Sequence, residues 1–406
     1  MDGELSPTWE GIGERGLAFS PDGRRFAYFA CRDGRWLAVV DGLEHSHHDN
    51  VAKGPPLFSP DGSRVLYAAQ DAAQWRLVAD GRPGAPYDGV MADSVVSSAD
   101  GRRFAYVAAR GRIVDGRVWS GSGSWFAVFN EEQGPLGSHV PAISPDGNRT
   151  AYAVSHGSQS EVVVDGEKVA SHGGVAAIFF SPDAGHYAYI ARDGEDYRVV
   201  WDGRPGLAYA NVGTTGAVFS PDGTRMAHTA RKGDRAVVVV DGVEGPEHDT
   251  VMRNATRFSP DGKRIAYPAA RQEGSAQKWS MMVDGEAWPE HDDIHLSGPV
   301  FSPDSRRLAY IAGVGPDGAA GMQLVVDGRP EQLYPSIGAG GPVFSPDGLH
   351  IAFTATRDQS FVVVDGTEGP PFDAIVSPRP CFTEDGGLEY LANNGGALYR
   401  VTQPAV

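Results

Sequence analysis

The chain has 406 residues, 41% of them hydrophobic and 21% charged, with a formal net charge of -17, so it can bury a large core and is too apolar for a disordered polymer. Its 53 Gly and 29 Pro point to many tight turns rather than to a helical protein. A balance of 52 Asp and Glu over 35 Lys and Arg argues against a nucleic-acid partner, which would need a basic face.

In chain order, the first residues, MDGELSPTWE, lack the basic and apolar regions of a secretory signal. No apolar run approaches the roughly 18 residues of a membrane span. Cys31 and Cys381 can make at most one bridge, which fits a reducing compartment. A cytoplasmic protein with no membrane partner is expected, or a periplasmic or secreted one if a signal peptide has been removed.

From Ser20 onward a tetrapeptide close to Ser-Pro-Asp-Gly recurs, beginning at Ser20, Ser59, Ser98, Ser144, Ser181, Ser220, Ser259, Ser302, Ser345 and Thr383. That makes ten copies, mostly about 39 residues apart. Each is usually preceded by Phe and followed by an Ala-aromatic pair such as Ala27-Tyr28 or Ala266-Tyr267. A second punctuation, Val-Asp-Gly in its best copies, ends a β-branched run, as in Val237 to Gly242. Asp-Gly between apolar runs predicts a hairpin, because both residues tolerate the positive φ of a two-residue turn. One unit then reads strand A, turn, strand B, loop, strand C, Asp-Gly turn, strand D. Four antiparallel strands in about 40 residues is the size of one propeller blade.

From the C–D turn Asp to the next Ser the distance is 18 residues for Asp41, Asp80, Asp202, Asp241, Asp284, Asp327 and Asp365. The other half is 21 residues in five blades, but 25 from Ser259 to Asp284 and from Ser302 to Asp327, and 32 from Ser98 to Asn130. The extra residues are assigned to B–C loops, which share a face with the D–A loops. The halves from Asn130 to Ser144 and from Asp165 to Ser181 are short, at 14 and 16 residues. Asp2-Gly3 lies 18 residues before Ser20, and the last blade stops after strand C. Residues 1–12 are therefore expected to supply its missing strand D and close the ring. The fold class is all-β: a single β-propeller domain over 1–406 with about ten four-stranded blades, the alternative being two five-bladed rings. A monomer is expected.

The motif F-S-P-D-G-x-R-x-A-Y, as in Phe219 to His228 and Phe258 to Tyr267, resembles the WD40-like (PD40) repeat of TolB-type propellers, also seen in prolyl-oligopeptidase-like peptidases. The resemblance covers essentially the whole chain. It implies a propeller fold and no particular function, since members of that family range from interaction modules to substrate gates.

The turn Asp recurs at every hairpin, as a turn residue does rather than a metal ligand, and neither a metal nor another cofactor is expected. The strand D position is held by Trp9, His48, Tyr87, His172, Tyr209, His248, His291, Tyr334 and Phe372. That exchange of His with aromatic residues predicts a flat ring packed between blades. At the end of strand B stand Arg32, Arg110, His156, Arg192, Arg231, Arg271 and Arg357. They could hold carboxylates or phosphates on one face, or simply pair with neighbours such as Asp33, Asp193, Asp234 and Asp358. In the third blade the long B–C loop carries Trp119 and leads into Trp125, which suits an anchor for a ligand or partner as well as a harmless insertion. No GxSxG, HExxH, Walker-type loop or paired CxxC occurs. The expected function is a non-catalytic binding or scaffold propeller that recognises a protein, peptide or small anionic ligand on the B–C/D–A loop face. The alternative is an enzyme, a lyase, hydrolase or tailoring enzyme, with its site in the central channel.

Overall fold

The computed structural model describes residues 9–13, 17–21, 23–111, 113–114, 117–118, 124–213, 217–274, 276–315, 318–377, 379–383 and 386–404. The chain divides into two compact units, Met1–Gly206 and Leu207–Val406. Each unit contains five consecutive antiparallel sheets of propeller-blade form among the described residues, and the first adds the short hairpin of Ile113–Val114 and Arg117–Val118.

The repeat sets the strand order within each sheet. In the sheet of residues 250–291, strand B is Ile265–Glu273, strand C is Ala276–Val283 and strand D is Glu286–His291. Strand A comes in two pieces, Thr250–Val251 and Arg257–Phe258, both paired to strand B. Between the pieces the chain makes a short excursion over Met252 to Thr256, with Asn254 at φ +59°. In the sheets of residues 89–133, 138–172 and 174–205, strand A is instead one bulged strand, Gly89–Ser97, Ser138–Ile143 and Gly174–Phe180. The shortened halves before Ser144 and Ser181 end in two of these bulged strands.

The turn chemistry follows the sequence closely. Asp241 and Gly242 sit at φ +53° and +82°, and the equivalent pairs at 41–42, 80–81, 165–166, 202–203, 284–285, 327–328 and 365–366 are also both positive. In the A–B turn Ser259 Oγ donates to Asp261 Oδ1 at 2.6 Å and accepts from Arg264 N at 3.0 Å. Asp261 Oδ1 also accepts from Lys263 N at 3.1 Å. The serine bond, followed by this backbone bond, holds the Asp261 carboxyl below its usual range.

The Arg of the repeat does work that the sequence reading missed. Arg225 Nε donates to Asp241 Oδ2 at 2.8 Å, fastening the A–B turn to the C–D turn of its own sheet. Its Nη1 reaches the next sheet, donating to the carbonyls of Gly262 at 3.1 Å and Lys263 at 2.9 Å, and its guanidinium lies 5.2 Å from the Phe258 ring. Arg25, Arg149, Arg264 and Arg307 repeat this arrangement. His186 and His350 replace Arg in two sheets and keep only the link to Asp202 and Asp365, both at 2.6 Å.

Within each unit the core lies between consecutive sheets. Ala309, Ile311, Leu324 and Val326 of one sheet meet Ile351, Phe353, Phe361 and Val363 of the next.

The expected closing segment 1–12 is placed differently where it is described. Gly11–Ile12 pairs with Ala30–Cys31 as strand A of the first sheet, and residues 1–8 lie outside the described residues. The last sheet holds Ala374–Ile375, Cys381–Phe382, Leu388–Asn394 and Ala397–Gln403, that is strand A in two pieces, B and C, without a strand D among the described residues.

Candidate ligand-binding cleft

The aromatic and His residues that end strand D pack as rings against the next sheet. Tyr87 meets Tyr106 with centroids 6.0 Å apart, His248 meets Tyr267 at 6.0 Å, His291 meets Tyr310 at 5.6 Å and Tyr334 meets Phe353 at 5.7 Å. The same geometry holds for Trp9 on Tyr28 and for His172 on Tyr189. Burial pushes His248 and His291 below the usual imidazole range, keeping both neutral at pH 7.

At four of these ring slots the residue 23 positions later contacts the ring. Arg32, Arg110 and Arg357 lie over Trp9, Tyr87 and Tyr334 at 4.4, 5.3 and 5.2 Å. Where the ring is His48, the matching residue is Asp71, which bonds its Nδ1 at 2.7 Å. The carboxylate partners of the strand B basic residues are not the loop Asp residues expected from sequence. They come mainly from strand D: Arg32 pairs with Glu44 at 2.9 Å, Arg271 with Glu290 at 2.6 Å and Arg357 with Glu368 at 2.7 Å. His156 stands 3.6 Å from Glu161, and Arg110 donates to Gln133 at 3.4 Å.

Arg192 and Arg231 differ from the other five by one residue of register. Arg231 pairs with Asn211 on strand A, the place that Cys31 and Ala270 hold in their sheets, whereas Arg32 and Arg271 stand one position later. Successive strand residues point to opposite faces, so this offset turns the side chain over. Lys232 takes the ordinary position and pairs with Glu244 at 2.8 Å. Arg192 folds onto its own turn, donating to Gly194 O at 2.9 Å. Arg231 lines a cleft of about 680 Å³ between the sheet of residues 211–244 and the next.

Among the described residues, the lining of the cleft includes no carboxylate side chain. Asn211, Thr229, Arg231, Thr250, Arg253 and Asn254 supply its polar groups. Arg231 donates to the Asp249 carbonyl at 3.3 Å. The Asp249 carboxylate is engaged elsewhere, by Arg235 and by Gln272 N. Arg253, exposed on the strand A excursion, has no ion pair among the described residues. Two guanidinium groups in a pocket whose described lining holds no acid stand out on a chain of net charge -17. Sequence reasoning selected Arg231 but missed Arg253, because the strand A excursion that presents it was read as a plain loop.

Trp119 lies outside the described residues. Trp125 pairs with Ala109 at the start of strand C, the position that Trp279 holds opposite Ala270, and is half-buried as a regular part of the repeat.

No known protein family and no curated protein matches the sequence. Among solved structures, the chain is similar to a eukaryotic initiation factor, with a TM-score of 0.48 and 12% identity over 82% of this chain and 91% of that one. It is similar to dihydro-heme d1 dehydrogenase NirN in complex with DHE, with a TM-score of 0.37 and 15% identity over 83% and 70% of the two chains. It is also similar to the β-propeller domain of the trilobed protease from Pyrococcus furiosus, with a TM-score of 0.30 and 14% identity over 75% and 90%. None of these likenesses transfers an activity.

Proposed function

We propose that the protein is a non-catalytic binding propeller that takes an anionic ligand in the cleft of Arg231 and Arg253, at the B–C and D–A ends of its blades. The observation that carries this reading is a pocket of about 680 Å³ with two guanidinium groups and no carboxylate side chain among its described lining residues. Guanidinium forks suit carboxylate and phosphate oxygens, and the surrounding Asn and Thr side chains add neutral bonds. The test is calorimetric titration with sodium acetate and inorganic phosphate. Wild type should bind at least one of them, and Arg231→Gln and Arg253→Gln should each weaken that binding about tenfold or more. Wild-type protein that binds neither anion would overturn the reading.

On the repeat arithmetic alone, we also propose that residues 1–406 form a single ring of ten blades. The 18-residue spacing from Asp202 to Ser220 equals that of six other blades, so the sequence carries no sign of a break there. Particle images that resolve two separate five-bladed rings would refute it.

A further inference from the structure

A second cleft, of about 530 Å³, lies between the sheet of residues 250–291 and the one after it. It shares Thr250, Val251 and Arg253 with the first, so the two adjoin along the Thr250 to Arg253 segment. Its character is different. Val251, Met252, Trp279, Ile294 and Leu296 form most of its lining. Leu296 is 81% exposed. It sits on the strand A excursion of its sheet, the same place that Arg253 holds one sheet earlier.

The polar groups of this second cleft define what it will not accept. Asp293 contributes a carboxylate. His295 is held by Ser297, whose N–H donates to Nδ1 at 3.1 Å, so that nitrogen is an acceptor and the ring proton sits on Nε2. An anion in the second cleft would therefore meet Asp293 beside the shared Arg253, whereas the first cleft offers it both Arg231 and Arg253.

We propose that the ligand is a monoanionic amphiphile, a carboxylate or phosphate ester with a linear apolar tail. Its charged head sits between Arg231 and Arg253, and its tail crosses the Thr250 to Arg253 segment to lie on Trp279, Ile294 and Leu296. This deepens the anion-binding reading and rests on it. The tail covers the exposed leucine, and the acid-free and acid-bearing halves of the groove set its direction.

The test is titration calorimetry with acetate, butanoate, hexanoate and octanoate, all kept monomeric. Affinity should rise about threefold per added methylene, as expected for a tail that leaves water. Trp279→Ala and Leu296→Ser should flatten that rise and leave acetate binding unchanged. Suberate, the dicarboxylate with the length of octanoate, should bind more weakly than octanoate, and Asp293→Asn should narrow the gap. Acetate binding with no gain along the series would overturn the amphiphile while sparing the anion site. Loss of all anion binding in the wild type would overturn both. A gain that persists in both apolar variants would place the tail elsewhere and refute the assignment.

Discussion

Arg225 is the most informative residue to remove, because its bonds separate the two jobs of the repeated arginine. Arg225→Ala deletes the 2.8 Å pair with Asp241, two bonds to the carbonyls of Gly262 and Lys263, and the contact with Phe258. The Arg225 side chain is 31% exposed, so the ion pair is screened and contributes about 0.5–1 kcal/mol. Each carbonyl bond adds about 1 kcal/mol and the ring contact about 0.5–1 kcal/mol. The total is about 3–4 kcal/mol, which lowers a thermal transition of a unit this size by roughly 6–16 °C. Arg225→His should cost about 2 kcal/mol, since a histidine there keeps the Asp241 link, as His186 and His350 do with theirs, and loses the bonds to the next sheet. Differential scanning calorimetry of the two variants, with Asp241→Asn completing a double-mutant cycle, reads both amounts. A loss below about 0.5 kcal/mol for Arg225→Ala, or equal losses for Ala and His, would refute the division into a within-sheet and a between-sheet role.

Other consequences of the structure can be checked in the same way. A Cβ at Gly101, which has φ +62°, would stand 2.6 Å from Arg64 Cγ and 2.7 Å from Ser59 Cβ, whereas one at Gly42, with φ +82°, would meet nothing within 4 Å. Gly101→Ala should therefore destabilise by well over the roughly 1–2 kcal/mol of backbone strain expected for Gly42→Ala, and equal denaturation midpoints would contradict the packing of these turns. His248 and His291 carry lowered values because burial disfavours the imidazolium. The unfolded chain takes up protons below its ordinary value of 6.5 while the folded one resists, so stability falls as pH drops from 7 to 5. Replacing both with Tyr, the residue at positions 209 and 334, should make that fall shallower; an unchanged pH slope in urea titrations would refute it.

Much of the local architecture was legible because it is local. Asp-Gly pairs demand positive φ whatever surrounds them, and Asp241-Gly242 and its seven counterparts adopt it. The exchange of His, Tyr, Phe and Trp at one strand position likewise announced a ring slot, and His248 on Tyr267 fills one. Where an interaction spans sheets, the sequence was weaker. Arg225 ties its neighbour's turn through two backbone carbonyls, which no side-chain pattern encodes.

The candidate site shows the same boundary. Seven basic residues at strand ends looked equivalent in sequence, and the order of residues alone determined the sheets, the turns and the face on which the strand ends lie. Only the tertiary structure decided that Arg32, Arg271 and Arg357 are neutralised by strand D glutamates while Arg231 enters a cleft beside Arg253. The physical reason is the two-residue period of a β-strand: a one-residue shift against strand A reverses the side chain, and that shift is set by pairing between segments twenty residues apart.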